Sequence, residues 1–239
     1  LFESNNSDSF KAFVRDLTDE LHNELGFEVK KDEELEIEEV RDTINKLRAK
    51  NLDDDSFIKK FSDIFKENKM ESISEGTFFS SILFISALDE TNKIEIFLEK
   101  FENAESPQMQ GRYRAVLGQV RDQNASKKIV EFMLDGRIRG ADCPYILASM
   151  ITNKYIGKKS WKVIKENFND LLSVMPDWTA SRILDALPAI YDEEFADDIK
   201  NFIKKNPLPS SEKLAAQKLE RLEANIEFMD NLKEVNNET

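Results

Sequence analysis

Apolar residues in this chain return every three or four positions from one end to the other, and nowhere do they alternate over the length of a strand. A period near 3.6 gathers them on one side of an α-helix, whereas a period of two would gather them on one side of a strand. That regularity restricts the 239 residues to an all-α fold. Seven Gly and six Pro are also too few for the tight turns a β-rich chain of this length needs.

Phe10, Phe13, Val14, Leu17, Leu21 and Leu25 predict a first helix of about four turns, with Arg15, Asp16, Asp19 and Glu20 across from them. Gly26 closes it as a C′ residue, and residues 1–9 precede it as a linker or disordered lead. The next helices carry Val40, Ile44 and Leu47, then Phe57, Ile58, Phe61, Ile64 and Phe65. Ser72 with Glu75 has capping-box spacing before a helix holding Phe78, Phe79, Ile82, Leu83 and Ile85. That helix is apolar on most sides, so it is expected to be buried. Ile94, Phe97, Leu98 and Phe101 mark another. Ser106-Pro107 opens the helix with Tyr113, Val116, Leu117 and Val120, and Ser126 is placed to cap the one with Ile129, Val130 and Met133.

Gly136 and Gly140 bracket a turn, after which Asp142-Cys143-Pro144 starts a helix with Ile146, Leu147, Met150 and Ile151. Gly157 reads as a break. Trp161, Ile164, Phe168, Leu171 and Leu172 form one longer helix ended near Pro176, and Thr179 opens the next, with Ile183, Leu184, Leu187 and Ile190. Phe195, Ile199, Phe202 and Ile203 follow until Asn206-Pro207, and a last helix runs from about Ser211 past Asn231. Consecutive helices on short links pack as antiparallel pairs. A long series of them is an α-α superhelix of degenerate HEAT-like helix pairs, here one domain over 1–239, with a compact bundle as the competing architecture.

Lys and Arg number 34 against 47 Asp and Glu, a net charge of −13, which opposes nucleic-acid binding. Apolar residues at 40% exclude a disordered acidic tail. No apolar run reaches the roughly 18 residues of a membrane span. Leu1-Phe2-Glu3-Ser4-Asn5-Asn6 lacks the basic lead of a signal peptide, so a cytoplasmic location is expected. A first residue of Leu suggests a piece of a longer protein, or removal of a tag.

Chemistry-bearing residues are scarce. One cysteine, Cys143, rules out an internal disulfide or a Cys-based zinc site, and one histidine, His22, rules out paired-His zinc motifs. His22 reads as structural. Cys143 sits at a helix start, where the dipole lowers a thiol pKa, but reads first as a small buried filler. Asp32-Glu33-Glu34 and Asp53-Asp54-Asp55 lack the alternating ligands and central Gly of a calcium loop, and read as solvated helix ends or N-caps. There is no Gly-rich phosphate loop and no Gly-x-Ser-x-Gly elbow. Trp161 and Trp178 read as core. Arg112, Arg114, Arg121, Arg137 and Arg139 are the one local concentration of positive charge: either they pair with neighbouring acids, or they offer a fork to a carboxylate.

The stretch Trp161-Lys162-Val163-Ile164-Lys165-Glu166-Asn167-Phe168-Asn169-Asp170-Leu171 resembles a signature in the C-terminal domain of the aminopeptidase N family of zinc aminopeptidases. Arg137-Ile138-Arg139-Gly140-Ala141-Asp142 is similar to that family's Ile-Arg-x-Gln-Asp turn. Arg114-Ala115-Val116-Leu117-Gly118 with Arg121-Asp122 is similar to its Ala-Leu-Gly and Asp pattern, and Leu219 to Met229 resembles its closing helix. Phe168, Ala141 and Phe228 depart from the family's Trp, Gln and Trp; the aromatic exchanges preserve packing.

The resemblance implies the non-catalytic C-terminal helical domain of such an enzyme, a bowl that encloses the active site and helps bind the peptide. The His-Glu-x-x-His helix belongs to an earlier domain, so zinc is implied for the parent enzyme and no cofactor, metal ligand or catalytic residue for this chain. Implied partners are the catalytic domain of the same polypeptide and the peptide substrate, with no nucleic acid and no membrane. The residues implied to hold the peptide's terminal carboxylate are Arg121 and Arg139. The alternative is a stand-alone HEAT-like adaptor that binds another protein.

Overall fold

A computed structural model describes residues 6–30, 32–67, 76–209 and 211–237. Every regular element among them is a helix. The chain forms two compact units, Phe2–Asp122 and Gln123–Thr239.

The first unit holds α1 (Asn6–Leu25), α2 (Leu35–Asn51), α3 (Asp55–Lys66), α4 (Thr77–Ala87), α5 (Ile94–Glu102) and α6 (Pro107–Leu117). They pack as α1 on α2, α3 on α4 and α5 on α6, while α2, α4 and α6 stack in a row. Polar contacts fix the directions. Lys11 pairs with Asp53 at 3.0 Å, Arg48 donates to Thr18 at 2.8 Å, and Arg41 donates to the Leu25 carbonyl at 3.3 Å. One number rises as the other falls, so α1 and α2 are antiparallel. Thr77 donates to Glu38, and Ser81 to Asp42. Both numbers rise together, so α2 and α4 are parallel. This is the ladder expected of stacked helical hairpins. Between them lies a phenylalanine-rich core: Phe57 meets Phe61 at 5.2 Å between ring centroids, and Phe65 stacks on Phe97 at 4.9 Å.

Several ends follow the expected local chemistry. Gly26, at φ 73°, takes the left-handed conformation that ends α1 and returns its N–H to the His22 carbonyl. Asp54 caps α3 by accepting from Phe57 N, and Ser106 caps α6 by accepting from Met109 N. α4 is buried through Phe79, Ile82, Leu83 and Ile85. The capping box at Ser72 and Glu75 lies outside the described residues. The chain is helical from Asn6, so residues 6–9 of the expected leading linker belong to α1.

The second unit holds α7 (Ala125–Leu134), α8 (Cys143–Ile151), α9 (Gly157–Glu166), α10 (Phe168–Val174), α11 (Asp177–Ala180), a 3-10 helix Ser181–Ala189, α12 (Glu193–Lys205) and α13 (Glu212–Asn237). Parallel neighbours recur. Lys158 and Trp161 Nε1 of α9 reach Asp192 and Asp198 at 2.7 and 3.0 Å, and Lys218 and Asn225 of α13 reach Asp185 and the Pro188 carbonyl at 2.9 and 2.7 Å. Trp161 is 1% exposed, with its ring edge-on to Phe202 at 5.2 Å.

Four expectations need correction here. Ser126 lies inside α7 and caps nothing; buried, it shares a hydrogen bond with Ser160 of α9 at 2.7 Å. The break expected at Gly157 is present, with α8 ending at Ile151 and Gly157 opening α9, where a Cβ would stand 2.4 Å from the Ile151 carbonyl oxygen. The long helix through Trp161 and Leu172 is split at Asn167, whose side-chain amide takes the Val163 carbonyl at 2.8 Å. The segment after Thr179 is mostly 3-10. Pro188 has no N–H for an α-ladder, and its ring would collide with the carbonyl four residues back. Trp178 is 76% exposed and not core.

Candidate functional site

The five arginines divide between the units, and each sits among local partners. Arg112 donates to the Gly76 carbonyl at 3.0 Å and covers the Phe79 ring. Arg137 lies over Phe132 and donates to Asp135 at 2.9 Å. Arg114 is likewise engaged.

Arg121 is placed by the link after α6. Its N–H donates to the Ala87 carbonyl at the end of α4, at 2.9 Å. The next residue, Asp122, is buried and accepts from Ile94 N, the first residue of α5, at 3.1 Å. The carboxylate thus closes one of the orphan donors of a helix start and anchors the link from both sides. From there the Arg121 guanidinium reaches Glu90 at 3.4 Å and Asp55 at 4.0 Å. Both acids are exposed, 71% and 89%, so water competes for them and the pairings are weak.

Arg139 occupies the turn between α7 and α8. Ile138 is buried beneath it and donates its N–H to the Phe132 carbonyl. Gly140 approaches α10 so closely that a Cβ would stand 2.0 Å from the Val174 carbonyl oxygen. Asp142 N–H returns to the Arg139 carbonyl at 2.8 Å, which closes the turn. The Arg139 side chain is 77% exposed, with Nε donating to Asp142 at 2.9 Å. That bond raises the guanidinium pKa further above its ordinary range. In both places backbone hydrogen bonds hold the link that carries the guanidinium; Glu90 and Asp55 beside Arg121 are solvent-accessible, and Asp142 beside Arg139 is a near neighbour in the chain. Either guanidinium can exchange a partner for an incoming carboxylate.

Asp122 does more than its place in the sequence suggested. The only sign of it was an acid directly after Arg121, and its cap on α5 depends on a contact across nearly thirty residues.

The remaining candidates are structural. Cys143 is fully buried, and that burial pushes its thiol up to about 12, overriding the helix dipole. The His22 ring packs edge-on to Phe57 at 5.5 Å. Burial first, then the charge of Arg48, holds its pKa below the usual histidine value. Among the described residues, no three His, Cys, Asp or Glu side chains gather where they could hold a metal ion. None of the described helices is long and apolar enough to cross a membrane. A groove of about 300 Å3 runs between α12 and α13. It carries Glu193, Asp197, Glu223, Glu227 and Asp230 over Leu222 and Ile226, and Lys200 bridges Asp197 and Glu223. Its charge is wrong for a carboxylate ligand.

A family model described as the ERAP1-like C-terminal domain matches residues 1–224. With nearly the whole chain covered, and an all-helical fold beneath the match, this protein belongs to the ERAP1-like C-terminal domain family of aminopeptidases of the aminopeptidase N type.

Proposed function

We propose that this chain is the non-catalytic C-terminal domain of a zinc aminopeptidase, that it closes over the catalytic domain of the same polypeptide, and that Arg121 and Arg139 help hold the terminal carboxylate of the peptide. The family match over residues 1–224 carries this reading. The donor set supports it. The residues of this chain do not fit a catalytic zinc: one half-buried histidine packs on a phenylalanine, and the one thiol is buried and protonated. In this reading the metal chemistry belongs to another domain.

The contribution of these residues is binding and orientation. A guanidinium presents two parallel N–H donors that match a carboxylate, whereas an ammonium presents a point charge. The pairings of Arg121 with Glu90 and Asp55 are weak because both acids are exposed, so exchanging either of them for a bidentate carboxylate costs little. The effect falls on binding of peptides long enough to reach the site, not on the bond-breaking step.

The test is Arg121→Ala in the complete enzyme. A charge-assisted hydrogen bond contributes about 1.5–3 kcal/mol, so KM for a long peptide should rise about tenfold or more with kcat retained. KM for an aminoacyl anilide, too short to reach the arginine, should stay unchanged. Equal effects on both substrates would reject the role.

A further inference from the structure

Arg121 stands between two carboxylates, and that mixture of charge bears on what it can bind. Three connections of the first unit converge there. Asp55 opens α3, Glu90 lies in the turn between α4 and α5, and Arg121 sits on the link after α6. The guanidinium is 3.4 Å from Glu90 and 4.0 Å from Asp55. Two other acids close by have cations of their own: Lys66 pairs with Asp89 at 3.5 Å, and Lys93 reaches the buried Asp122 at 3.9 Å. At Arg121 a single cation faces two acids, so the three groups together carry an excess of negative charge.

An incoming carboxylate changes this balance. Seated on the guanidinium, it lies within about 8 Å of both acids, inside the distance over which salt leaves charges unscreened. A peptide with an uncharged last side chain therefore binds against the repulsion of Glu90 and Asp55. A peptide whose last residue is lysine or arginine brings a cation attached to the same Cα as its carboxylate. The flexible stem lets that charge settle on the acids the guanidinium has released. Every charge is then paired, the peptide carboxylate with Arg121 and the side chain with Glu90 and Asp55. A charged site discriminates in this way, by repelling one ligand as well as attracting another.

We infer that Glu90 and Asp55 are specificity-determining residues of the Arg121 site, and that they select peptides ending in a basic residue. The inference rests on the reading of Arg121 as a holder of the peptide's terminal carboxylate. The bond from Arg121 N–H to the Ala87 carbonyl and the buried Asp122 carboxylate on Ile94 N hold the link beside both acids. Glu90 and Asp55 are themselves exposed, so a ligand's cation can reach them, and the selection is moderate in size.

Two long peptides of equal sequence, one ending in lysine and one in norleucine, test it on the complete enzyme. Their last side chains share a stem and differ in charge. KM for the lysine peptide should be lower by about threefold or more, with kcat unchanged. In Glu90→Gln combined with Asp55→Asn both acids are neutral. KM should then rise for the lysine peptide and fall for the norleucine peptide until the two agree, whereas a structural defect would move both in the same direction. Both side chains lie at the surface, so the variant should fold. Glu90→Gln alone, read alongside circular dichroism, should give part of the same crossover. Equal KM values in the native enzyme, or a lysine preference that survives the double variant, would overturn the inference. Arg121→Ala separates it from the reading beneath it. If that variant raises KM for both peptides while the native enzyme binds them alike, this inference fails alone. If it changes neither, the carboxylate reading fails and takes this inference with it.

Discussion

At the scale of the residue, the most informative positions are those where a side chain and its surroundings disagree. His22 keeps Nδ1 buried without a hydrogen-bond partner, between a phenylalanine edge and Arg48. Burial lowers its pKa in the folded state, so below about 6.5 the unfolded chain binds a proton that the fold resists. Stability should be level above that pH and decline as pH falls through it, and His22→Phe should remove this part of the pH dependence. Chemical denaturation between pH 8 and pH 5 on both proteins, roughly the range in which histidine titrates, checks the sign. Gly140 is the opposite case, a residue defined by what it lacks. Gly140→Ala forces a Cβ against the Val174 carbonyl and should cost about 1–3 kcal/mol or more. Gly111→Ala, with nothing closer than 3.9 Å inside α6, should be neutral or slightly stabilising, and thermal melts of the two separate them. Neither effect could be read from the sequence, because both come from contacts between distant segments. The partners of Arg121 were equally hidden. Asp55 and Glu90 stand 66 and 31 positions away in the chain.

At the scale of the element, the helices were legible wherever local physics decides. Asp54 and Ser106 cap by side-chain oxygens reaching the next free N–H, a short-range effect visible in the residue order. α4 was readable as buried because apolar residues surround it. Legibility ended where tertiary contacts override the pattern. Ser126 looks like a cap but bonds Ser160 across the α7–α9 contact. Asn167 ends α9 by turning its amide back on Val163 within a pattern that reads as unbroken. Trp178 was assigned to the core by residue type, whereas it is Trp161 that is buried, with Asp198 as acceptor for its Nε1 and Phe202 as aromatic neighbour. The apolar period of α1 correctly predicted a helix, but a period does not say which part of a wide apolar arc the fold covers.

At the scale of the whole molecule, the chain forms two units of packed helices, and in the first the pairs α1–α2, α3–α4 and α5–α6 stack through α2, α4 and α6. Such a scaffold positions side chains on links between helices, and both Arg121 and Arg139 lie on links held by backbone hydrogen bonds. The family itself was legible from motif order, because Trp161 through Leu171 and the Arg-Gly-Ala-Asp turn have spacings that the packing constrains. The identity of the ligand was not, since an arginine pairs as readily with Asp142 as with a peptide end. The central claim is that the catalytic metal site lies in another part of the enzyme. The direct measurement is zinc titration and aminoacyl-anilide hydrolysis on the purified 239-residue chain and on the complete enzyme. Zinc bound and substrate cut by the complete enzyme alone is the result predicted here; stoichiometric zinc and turnover in the 239-residue chain would contradict it.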